Sequence, residues 1–226
     1  MHPLDNVIWQ ALTTRQAQFA EGCAHARRFV REVSPLSGFE EASDANYAAL
    51  ASLVGDGAST AVFLDQPFAQ RPGWEFIVGA PLLQMVCHKP APFASNGHAI
   101  LELGSSESPE MLELTALTKP GPFGTRTHEL GAYIGIRAGG RLVAMAGERL
   151  KVPGFTEISA VCTHPEHTGK SYARLLMSEI VNRIRVRGET PFLHVRQDNT
   201  RAIAVYESLR FQSRKLLHFA VLRRRK

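Results

Sequence analysis

Apolar residues near the start of the chain recur at Ile8, Leu12, Phe19 and Cys23, close to a helical repeat, and predict a helix over 7–26 with a short extended piece over 29–33. Pro35 and Gly38 break that pattern. Ser43 stands where an N-cap is expected, ahead of a helix carrying Tyr47, Leu50 and Leu53, and Gly55 where such a helix should stop. Strands are predicted over 60–64, 74–78 and 82–87. Pro90, Pro92, Ser95, Asn96 and Gly97 then gather breakers in one segment, which divides the chain into residues 1–96 and 97–226.

The second part is more regular. A strand over 99–103 leads to Ser108, which is placed to cap a helix with Met111, Leu112, Leu114 and Leu117 on its apolar side, stopped by Pro120 and Gly121. Two strand-like runs, 130–137 and 141–150, are joined by Ala138, Gly139 and Gly140, the pattern of an antiparallel hairpin. A strand over 157–163, a helix over 169–187 and a strand over 192–196 follow. Ala173, Leu176, Ile180 and Ile184 make the buried stripe of that helix, with Lys170, Arg174, Ser178 and Asn182 on another face. Strand, helix, strand is the pattern of a right-handed parallel crossover. A helix over 200–209 and a strand over 215–222 close the chain, so the class is α+β with a mixed central sheet.

Composition adds a limit and a direction. With 226 residues, 44% hydrophobic and 21% charged, the chain is neither disordered nor of low complexity. Residues 1–96 carry six basic and nine acidic side chains, net −3; the remaining twenty basic and twelve acidic ones leave residues 97–226 at +8, which points to an anionic partner. Cys23, Cys87 and Cys162 are far apart without metal or disulfide spacing, so buried reduced thiols are expected. No apolar run reaches the length of a membrane span and the first residues lack a leader pattern; a cytoplasmic protein is expected.

The candidate chemistry lies in the turn between the crossover strand and its helix, His164-Pro165-Glu166-His167-Thr168-Gly169-Lys170-Ser171-Tyr172-Ala173. N–H groups at a helix start lack intrahelical acceptors, and small residues at Gly169, Ser171 and Ala173 would let phosphate oxygens approach the backbone beside Lys170. Spacing alone supports a plain helix start equally well. His164 and His167 read as solvated loop residues rather than a metal pair, and no metal site is expected. Cys162 reads as a small strand residue rather than an acylated nucleophile, and the terminal Arg223, Arg224, Arg225 and Lys226 as a solvated tail.

This turn resembles the pyrophosphate loop of the GNAT superfamily of acyl-CoA-dependent N-acetyltransferases, and the resemblance covers about residues 97–226. Pro165 matches the family's proline, Thr168 stands where Arg or Gln is usual, Ser171 where the first Gly is usual, and Ala173 satisfies the last position. Asn199, Ala202, Ile203, Tyr206, Glu207, Leu209 and Phe211 resemble a late segment of the same family, with Arg210 replacing a Gly. Ser171 is a mild change provided its φ is negative.

The resemblance implies strands 157–163 and 192–196 splaying to admit acetyl-CoA, with Val161, Cys162 and Thr163 bonding its pantetheine arm. It implies Thr168, Gly169, Lys170, Ser171, Tyr172 and Ala173 around the pyrophosphate, and Asn199 beside the arm. Tyr206 matches the family's general-acid tyrosine and Glu157 the carboxylate that takes the amine proton, with Glu129 and Glu148 as runners-up. Arg126, His128 and Glu129, entering the hairpin, are the expected acceptor residues. The implied activity is direct acetyl transfer to an amine, on a small molecule or peptide, in a chain that can form a homodimer; no membrane or nucleic-acid partner is expected. The alternative is a catalytically weak acyl-CoA-binding or regulatory module with a degenerate cleft, motivated by Thr168, Ser171 and Arg210. Residues 1–96 are expected to be an α/β extension over the acceptor face, faintly similar to a decayed half of the same fold.

Overall fold

The computed structural model describes residues 2–92 and 97–226; Ser95 and Asn96 of the breaker segment lie outside the described residues. The first helix, α1 (Val7–Thr13), is far shorter than the 7–26 pattern predicts. The hydroxyls of Thr13 and Thr14 donate back to the carbonyls of Trp9 and Gln10, and the Gln16 N–H turns back to Ala11 O, so the chain leaves helical geometry there. Phe19 and Cys23 share a helical spacing with Ile8 and Leu12 but not a helix. The chain instead forms a small antiparallel sheet, β1 (Ala20–Gly22), β2 (Ala26–Phe29) and β3 (Ser37–Phe39), in place of the extended piece over 29–33. Next comes α2 (Asp44–Val54), where Ser43 accepts from the Asn46 N–H at 3.3 Å and Gly55 closes the helix at φ +82°.

The remaining strands are β4 (Ser59–Leu64), β5 (Trp74–Val86), β6 (Leu101–Leu103), β7 (Tyr133–Ala138), β8 (Arg141–Val152), β9 (Phe155–Thr163), β10 (Thr190–Arg196) and β11 (Gln212–Arg224). The helices among them are α3 (Ser108–Thr118), α4 (Tyr172–Val186) and α5 (Thr200–Ser208). Ser108 does not cap α3: its hydroxyl donates to Thr125 O, and a short turn over Ser105–Glu107 precedes it. The turn between β7 and β8 is Gly139-Gly140 at φ +57° and +81°, the doubly left-handed geometry of a tight hairpin.

All eight strands form one sheet in the order β4-β11-β5-β10-β9-β8-β7-β6, in which β9 and β10 are parallel and the other pairs antiparallel. Strand pairing therefore joins the two parts of the chain: β5, from the first part, lies between β10 and β11 of the second. The runs 74–78 and 82–87 are one strand across Pro81. Pro81 O accepts the Gln197 N–H just past the end of β10, so the proline's missing donor faces the side where its neighbour has stopped. One face of the sheet is covered by α4, whose Leu176, Ile180 and Ile184 are fully buried with Ile134, Ala144 and Leu193. The opposite face is covered by α1, packed on Leu150, Val152 and Phe192, and by α3, whose Met111 and Leu114 pack on Tyr133 and Met145.

Candidate active site

Strands β9 and β10 pair only at Thr190↔Phe155, Pro191↔Thr156 and Phe192↔Glu157, then continue apart to Thr163 and Arg196. On its other edge β9 is bulged: Met145 pairs Cys162 and Gly147 pairs Ser159, leaving Ala160 at φ +54°. The bulge sits at the mouth of the splay, where regular pairing is lost.

A cavity of about 610 Å³ opens beside this splay. It is lined by Val161, Cys162 and Thr163 of β9, by Thr168, Gly169, Lys170, Ser171, Tyr172 and Ala173 at the start of α4, and by Asn199 and Tyr206 of α5 and its cap. Gly169 and Ser171 have φ +80° and +60°, alternating with Lys170 to curl the loop. The first intrahelical bond of α4 is Leu175 N–H to Ser171 O, so the preceding N–H groups have no intrahelical acceptor and are available to an anion. The negative φ on which the Ser171 substitution would be mild is not adopted; a side chain stands in a glycine conformation. Arg210 does the same at φ +68°.

Three exposed cations, Lys170, Arg174 and Arg201, line the same cavity. No motif marks Arg174 or Arg201; only their places one turn into α4 and at the start of α5 put them there. Asn199 caps α5 by accepting the Ala202 N–H at 3.1 Å. Tyr206 forms part of the cavity wall, and burial pushes its phenol up to about 12, so it stays protonated as a donor. Burial likewise pushes the Cys162 thiol up to about 11, the opposite of an activated nucleophile. His164 and His167 stack edge to face at 5.8 Å, and among the described residues no group of three His, Cys, Asp or Glu side chains could hold a metal.

Glu157 is not at the cavity. It is fully buried on β9, where Arg149 grips it through two bonds of 2.9 and 2.7 Å and His194 Nδ1 lies 2.7 Å away. Burial alone would raise its carboxyl, but the charge and hydrogen bonds of Arg149, with His194, outweigh this and hold it at about 2. The structure thus places Glu157 in a buried ion pair and not on the cavity wall where the base role expected of it would lie. The network extends sideways: Gln84 donates to Leu4 O and accepts from Arg214, so its amide nitrogen faces His194 Nε2 at 3.1 Å. His194 Nε2 must then accept, and the imidazole proton lies on Nδ1, toward Glu157.

Glu148 is also buried and is held by Lys151 and Arg187. Glu129 forms a two-bond pair with Arg126 at 2.7 and 2.8 Å, which lowers its carboxyl. Arg126, His128 and Glu129 lie at or beside the short turn Thr127–Leu130 and do not line the cavity. That turn is tied to the first part of the chain by Thr127 Oγ1 to Val33 O and Arg126 N–H to Glu32 O.

Comparison with known proteins agrees with this geometry. A family model described as FR47-like protein matches residues 133–219. N-alpha-acetyltransferase RimI of Mycobacterium tuberculosis is 39% identical over 83 residues, 35% of this chain, which spans about half (51%) of that relative's length. A solved GNAT-family structure from Novosphingobium aromaticivorans is 36% identical over the whole of both chains, with a TM-score of 0.93. A GCN5-related N-acetyltransferase from Kribbella flavida shares the fold at 15% identity and a TM-score of 0.60, over 93% of this chain and 95% of its own. The full-length likeness extends what the splayed strands and helix-start loop indicate to the first part of the chain as well, and the chain belongs to the GNAT superfamily of N-acetyltransferases.

Proposed function

We propose that the protein transfers an acetyl group from acetyl-CoA directly to an amine, in the cytoplasm, with residues 97–226 building the donor site and residues 1–96 extending the acceptor face. The reading rests on one observation: a single cavity gathers the curled loop at the start of α4, the separated end of β9, and Tyr206. The free N–H groups and the side chains of Lys170, Arg174 and Arg201 suit a pyrophosphate and a further phosphate. The extended backbone of Val161, Cys162 and Thr163 suits an amide-containing arm. Acetyl-CoA supplies the thioester whose carbonyl carbon the amine attacks.

Tyr206 donates its phenolic proton to the departing thiolate sulfur as the C–S bond breaks. A thiol of pKa ~8.5 against a phenol at about 12 makes this uphill by about 5 kcal/mol if the thiolate stays in water. The apolar surroundings that raise the phenol raise the thiolate's basicity too, so the transfer requires the cleft to close around both groups. With Glu157, Glu148 and Glu129 all held in ion pairs, the proton lost by the amine passes to solvent.

The test is release of free thiol from acetyl-CoA in the presence of amines, amino acids and a peptide with a free α-amine, the group named in the M. tuberculosis relative. Thiol release that depends on the amine supports the proposal. Acetyl-CoA binding without release with any amine would favour the binding module instead.

A further inference from the structure

Among the described residues, two buried side-chain polar atoms have no hydrogen-bond partner: Tyr133 Oη and His128 Nδ1. Both lie where the chain enters β7. Tyr133 is 1% exposed, and a buried hydroxyl without a partner is destabilising unless something else satisfies it.

The direction of the Tyr133 ring is fixed by its neighbour. Tyr133 pairs with Gly147 on β8, and a Cβ at Gly147 would meet the ring at 2.2 Å. The ring therefore lies flat over β8, toward β9, in the space a side chain would fill. It packs in one cluster with Ala160, in the bulge beside the splay, and with Cys162, on the face covered by α3 rather than α4. The phosphate-binding loop lies at the start of α4, on the other face, so Tyr133 approaches the splay from the side opposite the proposed donor. Phe123, edge-on at 5.6 Å, covers the ring from the segment that carries His128.

We propose that the Tyr133 hydroxyl contacts the acceptor, accepting an N–H of the attacking amine and so aiming the nitrogen lone pair into the splay between β9 and β10. This rests on the acetyl-transfer reading above. A phenol that burial keeps neutral and that makes no hydrogen bond to the neighbouring Arg149–Glu157 pair suits this role: it orients the amine without taking its proton, and binding the amine satisfies the orphaned oxygen. Phe123 must move aside to admit the acceptor.

The test is Tyr133→Phe in the full chain, assayed with an amine on which wild type is active. Expected are a fall in kcat/KM for the amine of about tenfold or more, unchanged acetyl-CoA affinity, and a melting temperature equal to or above wild type. A kcat/KM equal to wild type would overturn the assignment and mark the hydroxyl as an internal group satisfied by water. If the variant fails to fold, wild type carrying tyrosine labelled at Cζ serves instead. The Tyr133 resonance should shift on adding amine with CoA and not with CoA alone, and no shift overturns the assignment. A wild type that binds acetyl-CoA but acetylates no amine defeats the acetyl-transfer reading and this assignment together; an active wild type matched by Tyr133→Phe defeats this assignment alone.

Discussion

Replacing Glu157 by Gln separates a buried structural carboxylate from a working base. In the folded chain the carboxylate is 1% exposed and accepts both forks of Arg149, itself 11% exposed, as well as the Leu150 N–H. A glutamine presents an amide nitrogen to one of those guanidinium donors and leaves Arg149 a buried charge without its counter-ion. Removing one member of a buried pair costs about 3–5 kcal/mol. The direction of the carboxyl's shift agrees: Arg149 and His194 hold it at about 2 in the folded chain, below the ordinary 4.5. Because the folded value is depressed, this stabilisation is fully present above pH 4.5 and is lost as pH falls through about 2. For a chain of this length, Glu157→Gln should therefore lower the melting temperature by roughly 6–20 °C at pH 7. The gap from wild type should narrow as pH falls below 4.5. Thermal melts followed by circular dichroism from pH 7 to pH 2.5 measure both effects. A variant that melts with wild type at every pH, yet has lost turnover and the acidic limb of its rate profile, would refute the argument and restore Glu157 as the base.

Other outcomes follow from the cavity and its loop. Tyr206→Phe should lower kcat by about 10²-fold or more while leaving acetyl-CoA affinity intact, measured by thiol release and calorimetry. Arg210→Gly relieves a non-glycine residue at φ +68° and should raise stability by up to about 1 kcal/mol, read as a melting temperature roughly 2–4 °C higher. Arg201→Ala should weaken acetyl-CoA binding and flatten its dependence on salt, because one of three cations at the cavity is removed.

What could be read from the sequence was what short-range physics determines. The Gly139-Gly140 turn, the Ser43 cap and the buried Leu176, Ile180 and Ile184 of α4 each depend on residues within a turn or two, and each is found in place. The resemblance carried the loop and Tyr206 to one cavity for the same reason: a strand followed directly by a helix leaves its connecting residues little freedom. The failures share a different cause. Ile8, Leu12, Phe19 and Cys23 fit one helix by spacing, but the first two are buried in the core and Cys23 is exposed in the connection between β1 and β2, strands held by a partner further along the chain. Glu157 was read without Arg149 and His194, which reach it from β8 and β10, and those partners determine whether its carboxylate is free. The sign of φ at Ser171 and Arg210 was equally invisible, since a glycine conformation leaves no trace once the glycine is replaced.

The insertion of β5 between β10 and β11 also bears on how the molecule is made. During synthesis β5 emerges well before its partner β11, so the register from Gln212↔Val86 to Arg224↔Trp74 cannot form until the residues between them have been made. Until then β5 presents Phe76, Ile77 and Val78 on unpaired backbone, a segment liable to pair with the wrong chain. β10, one lip of the splay, has β5 as its neighbour on the other side, so the strand that backs the cleft is itself completed on its far edge by β11. The C-terminal strand is in this sense the closing element of the active site, although it contributes no residue to the cavity.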